Sequence, residues 1–182
     1  MIDKKDFNLM RKELQKFENN RESLINLSRK IIQLSKRIIY SIHRHDLKSV
    51  DKLVKEIKQL VKKLPSNNYD TTLRNVALQE YVEAMALYGF YKEKRLYTRK
   101  ELNVEVENYL MGLCDLTGEL VRLAVNQSIR KNNVEAIEIK DFVNELYGEF
   151  LKFDLRNGEL RKKSDSIKWN LRKLEDLAQK LS

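Results

Sequence analysis

Residues 7–42 read FNLMRKELQKFENNRESLINLSRKIIQLSKRIIYSI, and this run decides the fold. Phe7, Met10, Leu14, Phe17, Leu24, Leu27, Ile31, Leu34, Ile38 and Ile42 recur at steps of three, four or seven. Such steps put apolar side chains on one stripe of an α-helix, and no strand can use them. The spacing predicts one helix over residues 3–44. Its other face carries Arg21, Arg29, Lys30, Lys36, Arg37 and Arg44.

The same period continues outward. Leu47, Val50, Val54, Ile57 and Val61 predict a second helix over 47–64, which Pro65 ends because proline cannot continue a helix. Further helices are expected over 71–92, 102–131, 134–153 and 159–180. The charged stretch 93–100 reads as a connection, Asn132-Asn133 as a break and Asn157-Gly158 as a turn. Only five Gly and one Pro punctuate 182 residues, too few for a strand-and-turn fold. The fold class is therefore all-α, a single-domain bundle of six to seven helices spanning 1–182.

Composition narrows the setting. One cysteine, Cys114, cannot form an intrachain disulfide, which suits a reducing compartment. No apolar run follows the N-terminus and no stretch has the length of a membrane span, so a cytoplasmic, membrane-free protein is expected. The net charge is +9, yet residues 101–154 hold 11 acidic and 5 basic residues, so one acidic segment sits within a basic chain. A basic surface attracts phosphate polyanions; a merely solvated lysine-rich surface reads the same way.

Two carboxylate pairs break the apolar pattern. Leu73, Ala77, Glu80, Ala84 and Leu87 keep a core-facing spacing, and Glu80 occupies a place in it, with Glu83 one turn on. In the next long helix Asp115 and Glu119 share a face that also carries Asn108, Met111, Gly112, Gly118 and Arg122. Glycine inside a helix costs about 1 kcal/mol, so Gly112 and Gly118 suggest a close approach of another element. If the two helices face each other, four carboxylates converge, and divalent cations relieve their repulsion. An all-oxygen set suits Mg²⁺ or Mn²⁺, and such an ion can activate water and neutralise a phosphate. Bundle sites for iron usually add a Glu-x-x-His pair, and no histidine is expected near these positions. Ordinary salt bridging is the alternative: Arg122 is three residues from Glu119, and Glu80 can meet an arginine of another helix.

The segments carrying these acids, LQEYVEA at 78–84 and CDLTGELVR at 114–122, resemble the translin superfamily, and more its Trax (translin-associated factor X) branch. Residues 29–44 resemble the family's first helix, and Leu155 to Glu175 its last. The likeness implies a bundle of about seven helices, a hollow octamer enclosing single-stranded RNA or DNA, and Mg²⁺-dependent RNA cleavage. Carried over, it implies Glu80, Glu83 and Asp115 as catalytic metal ligands, with Glu119 supporting. A chain shorter than eukaryotic Trax at both ends fits an archaeal homo-oligomer rather than a mixed shell. The expected activity is that of a metal-dependent endoribonuclease. The alternatives are a non-catalytic translin-type binder of single strands and a helical scaffold for another protein.

In translin the region just before and at the start of the third helix is rich in basic residues; here only Arg74 is basic between 67 and 78, so it is the nucleic-acid contact expected there, and a weaker one than the family suggests. Better contacts for nucleic acid are Arg21, Arg29, Lys36, Arg37 and Arg44, and then Lys92, Lys94, Arg95, Arg99 and Lys100. Tyr88, Tyr91 and Tyr97 interleave the second group, where rings stack on bases or pack on helices. His43 and His45 point apart on a helix, so they make a poor chelate, and His43 suits packing or RNA contact. Trp169 reads as an interface or core anchor. Cys114 reads as a small buried residue and not as a nucleophile.

Overall fold

Asp3 starts the longest helix by accepting hydrogen bonds from the amides of Lys5 (2.8 Å) and Asp6 (3.2 Å), two donors that a helix start otherwise leaves unpaired. The computed structural model describes residues 2–181. Its elements are α1 (Lys4–His43), α2 (Leu47–Val61), α3 (Leu73–Tyr88), a π-helical turn (Gly89–Glu93), α4 (Arg99–Leu102), α5 (Val106–Ile129), α6 (Asn133–Phe150) and α7 (Glu159–Leu181). The described residues contain no strand, and none of their helices is long and apolar enough to cross a membrane.

The stripe of α1 divides in two. From Leu24 to Ile42 it is buried at Leu24, Ile31, Leu34, Ile38 and Ile42, as its period predicts. Phe7, Met10 and Leu14 are exposed, so this half of the stripe covers no core of its own chain. Phe17 is half-buried and meets the edge of the Tyr69 ring, 5.4 Å between centroids. After His43 a tight reversal, with His45 left-handed at φ 58°, turns the chain so that α2 packs on α1 through Val50, Val54 and Ile57. The side chain of Leu47 lies outside the described residues. α2 stops at Val61, three residues before the expected end, and loosens into turns before Pro65.

α3 and α5 form the centre. α3 packs against α1 on one side and α5 on the other, and α5 also meets α6 and α7. Ala77, Leu78, Tyr81, Val82 and Ala84 to Tyr88 are all buried, so α3 is enclosed nearly all round rather than along one seam. The close crossing of α3 and α5 depends on Gly112. A Cβ there would lie 2.6 Å from the Val82 Cβ and 2.7 Å from the Gln79 carbonyl oxygen. Gly118 answers no such need, since its nearest neighbour would be the Asn170 side chain at 3.8 Å.

The expected helix over 71–92 ends as α-helix at Tyr88 and finishes in the π-helical turn. Gly89 lies against the Arg95 carbonyl oxygen, 2.6 Å from where a Cβ would be, and Lys94 is left-handed at φ 55°. Thr98 and Glu101 then cap the single turn of α4 reciprocally. The helix expected over 102–131 begins at Val106 for that reason. Trp169 is 59% exposed and is not a core anchor of this chain.

Candidate functional site

Glu80 and Glu83 project from α3, and Asp115 and Glu119 from α5, into one cleft of about 610 Å³. Lys36, Ile39 and Tyr40 of α1, Gly118 and Arg122 of α5, and Lys163 of α7 complete its wall. The geometry follows from the crossing at Gly112. Where Gly112 of α5 lies on Gln79 and Val82 of α3, Glu80 and Glu83 stand beside that contact on α3, and the following turns of α5 bring Asp115 and Glu119 to the same cleft.

Each carboxylate meets a different field. Glu119 accepts a hydrogen bond from His43 Nε2 at 2.5 Å and has Arg122 Nη1 at 3.7 Å. The bond from His43 holds the Glu119 pKa below the usual carboxylate value. Asp115 accepts from the Lys163 ammonium, which also donates to Gln79 Oε1 at 3.3 Å. Glu80 has the exposed Lys36 ammonium 3.7 Å away, and its removal from water pushes its pKa up. Glu83 forms no salt bridge among the described residues. Burial, followed by the charges of Asp115, Glu80 and Glu119, pushes its pKa up to about 8.

The donors are all oxygen and repel one another, the chemistry that suits Mg²⁺ or Mn²⁺. As they stand, no three His, Cys, Asp or Glu side chains among the described residues are grouped tightly enough to hold an ion. Salt bridging is therefore also present: Glu119 does meet Arg122, and the partner of Glu80 is a lysine rather than an arginine.

His43 corrects the expectation that no histidine stands near the acids. It is 5% exposed, holds Glu119 through Nε2, and leaves Nδ1 buried without a hydrogen-bond partner among the described residues. His45 points elsewhere, to the Tyr91 hydroxyl at 2.5 Å, so the two rings do diverge. His43 and Lys163 are 76 and 48 positions from the acids they hold, beyond the reach of any local spacing rule. The thiol of Cys114, pushed up to about 12 by burial and then by Asp115, is no nucleophile.

The basic candidates differ in exposure and in what they touch. Arg29, Arg37 and Lys100 are exposed, and Lys36 stands at the cleft rim. Arg21 lies 3.7 Å from Glu22 and 3.9 Å from Glu18. Arg44 donates to the Tyr40 hydroxyl at 3.0 Å and lies over its ring. Arg74 is a brace: its guanidinium holds the Pro65 carbonyl and Glu105, both at 2.8 Å, and its side chain is only 12% exposed. Arg95 bridges Glu93 (3.2 Å) and Glu101 (2.9 Å) while covering the Tyr97 ring, and Arg99 donates to the Val104 carbonyl at 3.3 Å. Lys92 is paired with Asp51, and Lys94 lies 3.8 Å from Glu135. Tyr88 and Tyr97 are buried and cannot stack on a base; Tyr91 is partly covered by His45.

Comparisons with known proteins agree with this architecture. The Translin family model matches residues 19–182. An uncharacterized protein of Methanocaldococcus jannaschii is 35% identical over 156 residues, 80% of this chain and 68% of its own length. Translin-associated protein X of Mus musculus is 27% identical, covering 93% of this chain and 75% of its own. Translin of Gallus gallus is 36% identical over 80 residues, 44% of this chain and 35% of its own. Among solved structures, apo-NeC3PO superposes with a TM-score of 0.89 at 33% identity, covering 100% of this chain and 99% of that one. AfC3PO in complex with duplex RNA gives 0.86 at 23% identity, covering 97% and 96%.

Proposed function

The chain belongs to the Translin family, and from that premise we propose that it is a metal-dependent endoribonuclease acting on RNA inside a homo-oligomeric shell. The observation that carries this reading is Glu83. A carboxyl group set among three other acids, with no salt bridge of its own, is poorly served by the protein alone and well served by a divalent ion.

The residues that would hold the ion are Glu80, Glu83 and Asp115, with Glu119 in support, and Mg²⁺ or Mn²⁺ bound there supplies water activation and charge for a phosphate. The chain's own groups do the rest. His43 fixes Glu119 in one orientation and keeps it ionised. Lys36 and Arg122 line the mouth of the cleft as cations that attract the RNA backbone. Arg29 and Arg37, exposed on α1 with Lys36, extend that field beyond the cleft. The octamer, the preference for single-stranded RNA and the capacity for single-stranded DNA remain part of the proposal. One structural relative was solved with duplex RNA, so duplex substrates belong in the same assay.

The test is cleavage of end-labelled RNA with Mg²⁺ or Mn²⁺ by the wild-type chain and by Glu80→Ala/Glu83→Ala. The expected result is cleavage that EDTA and the double substitution both abolish.

A second reading has its own support. Asp115 and Glu119 already hold cationic partners, and no three acids among the described residues are drawn together tightly enough to hold an ion. A shell that binds single-stranded RNA or DNA without cutting it needs nothing more. It predicts salt-sensitive binding and intact RNA after incubation with either metal.

A further inference from the structure

Lys163 reaches the cleft from α7, the only described helix besides α1 that brings a lysine to the acids. Its ammonium donates to Asp115 Oδ2 and to Gln79 Oε1, and its charge also acts on Glu80 and Glu83. The side chain is 33% exposed, so the ammonium can leave Asp115 without unfolding anything. An ammonium and a divalent ion compete for the same carboxylate lone pairs, and Lys163 sits on one of the pairs that a metal needs. A freed lysine at this wall faces the cleft, where a phosphate oxygen is its natural partner.

The geometry points to Lys163 as an exchangeable internal counter-ion: it occupies Asp115 while the cleft is empty of nucleic acid, and it moves to a backbone phosphate when a strand enters, releasing Asp115 to a divalent ion. The inference rests on the metal-dependent reading above. It makes metal uptake and nucleic-acid binding reciprocal, because each removes the lysine's hold on the site for the other. The consequence is a nuclease that takes up its ion fully only with a phosphate backbone in place.

Lys163→Gln separates this role from a structural one, because the two effects run in opposite directions. Mn²⁺ uptake is measured by calorimetry on the intact assembly, with and without a single-stranded 2′-O-methyl oligonucleotide recovered whole afterwards. For wild type the oligonucleotide tightens Mn²⁺ binding about ten-fold, equivalent to about 1.4 kcal/mol. Lys163→Gln binds Mn²⁺ about ten-fold more tightly than wild type without oligonucleotide, and adding it brings no further gain. The same variant, saturated with metal, cleaves RNA about 100-fold more slowly, since the phosphate loses its cation. Lys163→Arg, whose forked donor grips a carboxylate harder, binds Mn²⁺ more weakly than wild type. This second variant decides the matter if the first does not fold. Unchanged or weaker Mn²⁺ binding in Lys163→Gln, or tighter binding in Lys163→Arg, overturns the inference while leaving the metal-dependent reading intact. A wild-type chain that takes up no Mn²⁺ under either condition overturns that reading itself.

Discussion

Gly112 of α5 faces Val82 of α3 so closely that a methyl group on the glycine would lie 2.6 Å from the valine Cβ. That contact sets the distance between two central helices and hence between two pairs of acids. Everything proposed for the cleft depends on it.

Gly112→Ala is therefore expected to destabilise the fold by about 1–3 kcal/mol, the usual cost of overpacking. Gly118→Ala, whose Cβ would meet the Asn170 side chain at an ordinary 3.8 Å, is expected to be neutral or to stabilise by up to about 1 kcal/mol through helix propensity. Urea unfolding of the two variants checks this. Equal effects would mean that the crossing is not as tight as described.

Glu83 predicts a pH dependence of stability. Its pKa rises from an ordinary 4.5 to about 8 on folding. Below about pH 4.5 the group is protonated in both states and carries no penalty. Between that value and about 8 the unfolded chain ionises first, so stability is lost progressively as pH rises. Glu83→Gln removes the loss and is expected to be more stable than wild type at pH 8 by on the order of 1–3 kcal/mol. Mn²⁺ raises the melting temperature of wild type at that pH and does so much less for the variant. Thermal melts across pH 5 to pH 8.5 with and without metal decide it, and parallel curves for the two proteins would contradict it.

His43 holds Glu119 from below. His43→Ala leaves a buried gap and takes the hydrogen bond from a carboxylate, a loss of about 2–4 kcal/mol. The Glu119 pKa then moves back up toward its ordinary value, which carboxyl-carbon NMR titration reads directly. A Glu119 titration unchanged in the variant would contradict the assignment.

Arg74 and Arg37 separate brace from contact. Arg74→Ala is expected to lower stability by about 1–3 kcal/mol, because its charged bonds to Pro65 and Glu105 are lost, with little change in RNA affinity. Arg37→Ala leaves stability alone, weakens RNA binding at low salt and lowers the salt slope by about 1. Filter binding over a salt series shows the difference.

Much of the bundle was legible in the chain. The 3.6-residue period located every long helix, Pro65 bounded α2 to within a few residues of its end at Val61, and Glu80 stood out because a charged residue fell where the apolar spacing continued. Gly112 signalled a close approach, although Gly118 carried the same signal without one. Local rules failed wherever the cause was distant or specific to the assembled core. The buried half of α1 ends at Leu24 because no described element covers Phe7, Met10 or Leu14. The π-helical turn coincides with the close packing of Gly89 on the Arg95 carbonyl, a contact no local spacing shows. His43 and Lys163 reach the acids only because α1 and α7 are brought beside α5, and no spacing within either helix foretells it. Arg74 read as a phosphate contact because its charge was visible and its partners, Pro65 and Glu105, were not.

The most direct measurement is the rate of Mg²⁺-dependent cleavage of a labelled single-stranded RNA by Glu83→Gln, alongside its affinity for the same RNA. Loss of a group that shapes the metal site is expected to slow cleavage by about 100-fold or more while binding stays within a few-fold of wild type. Cleavage at the wild-type rate, or cleavage that survives EDTA, would show that this cleft is not where RNA is cut.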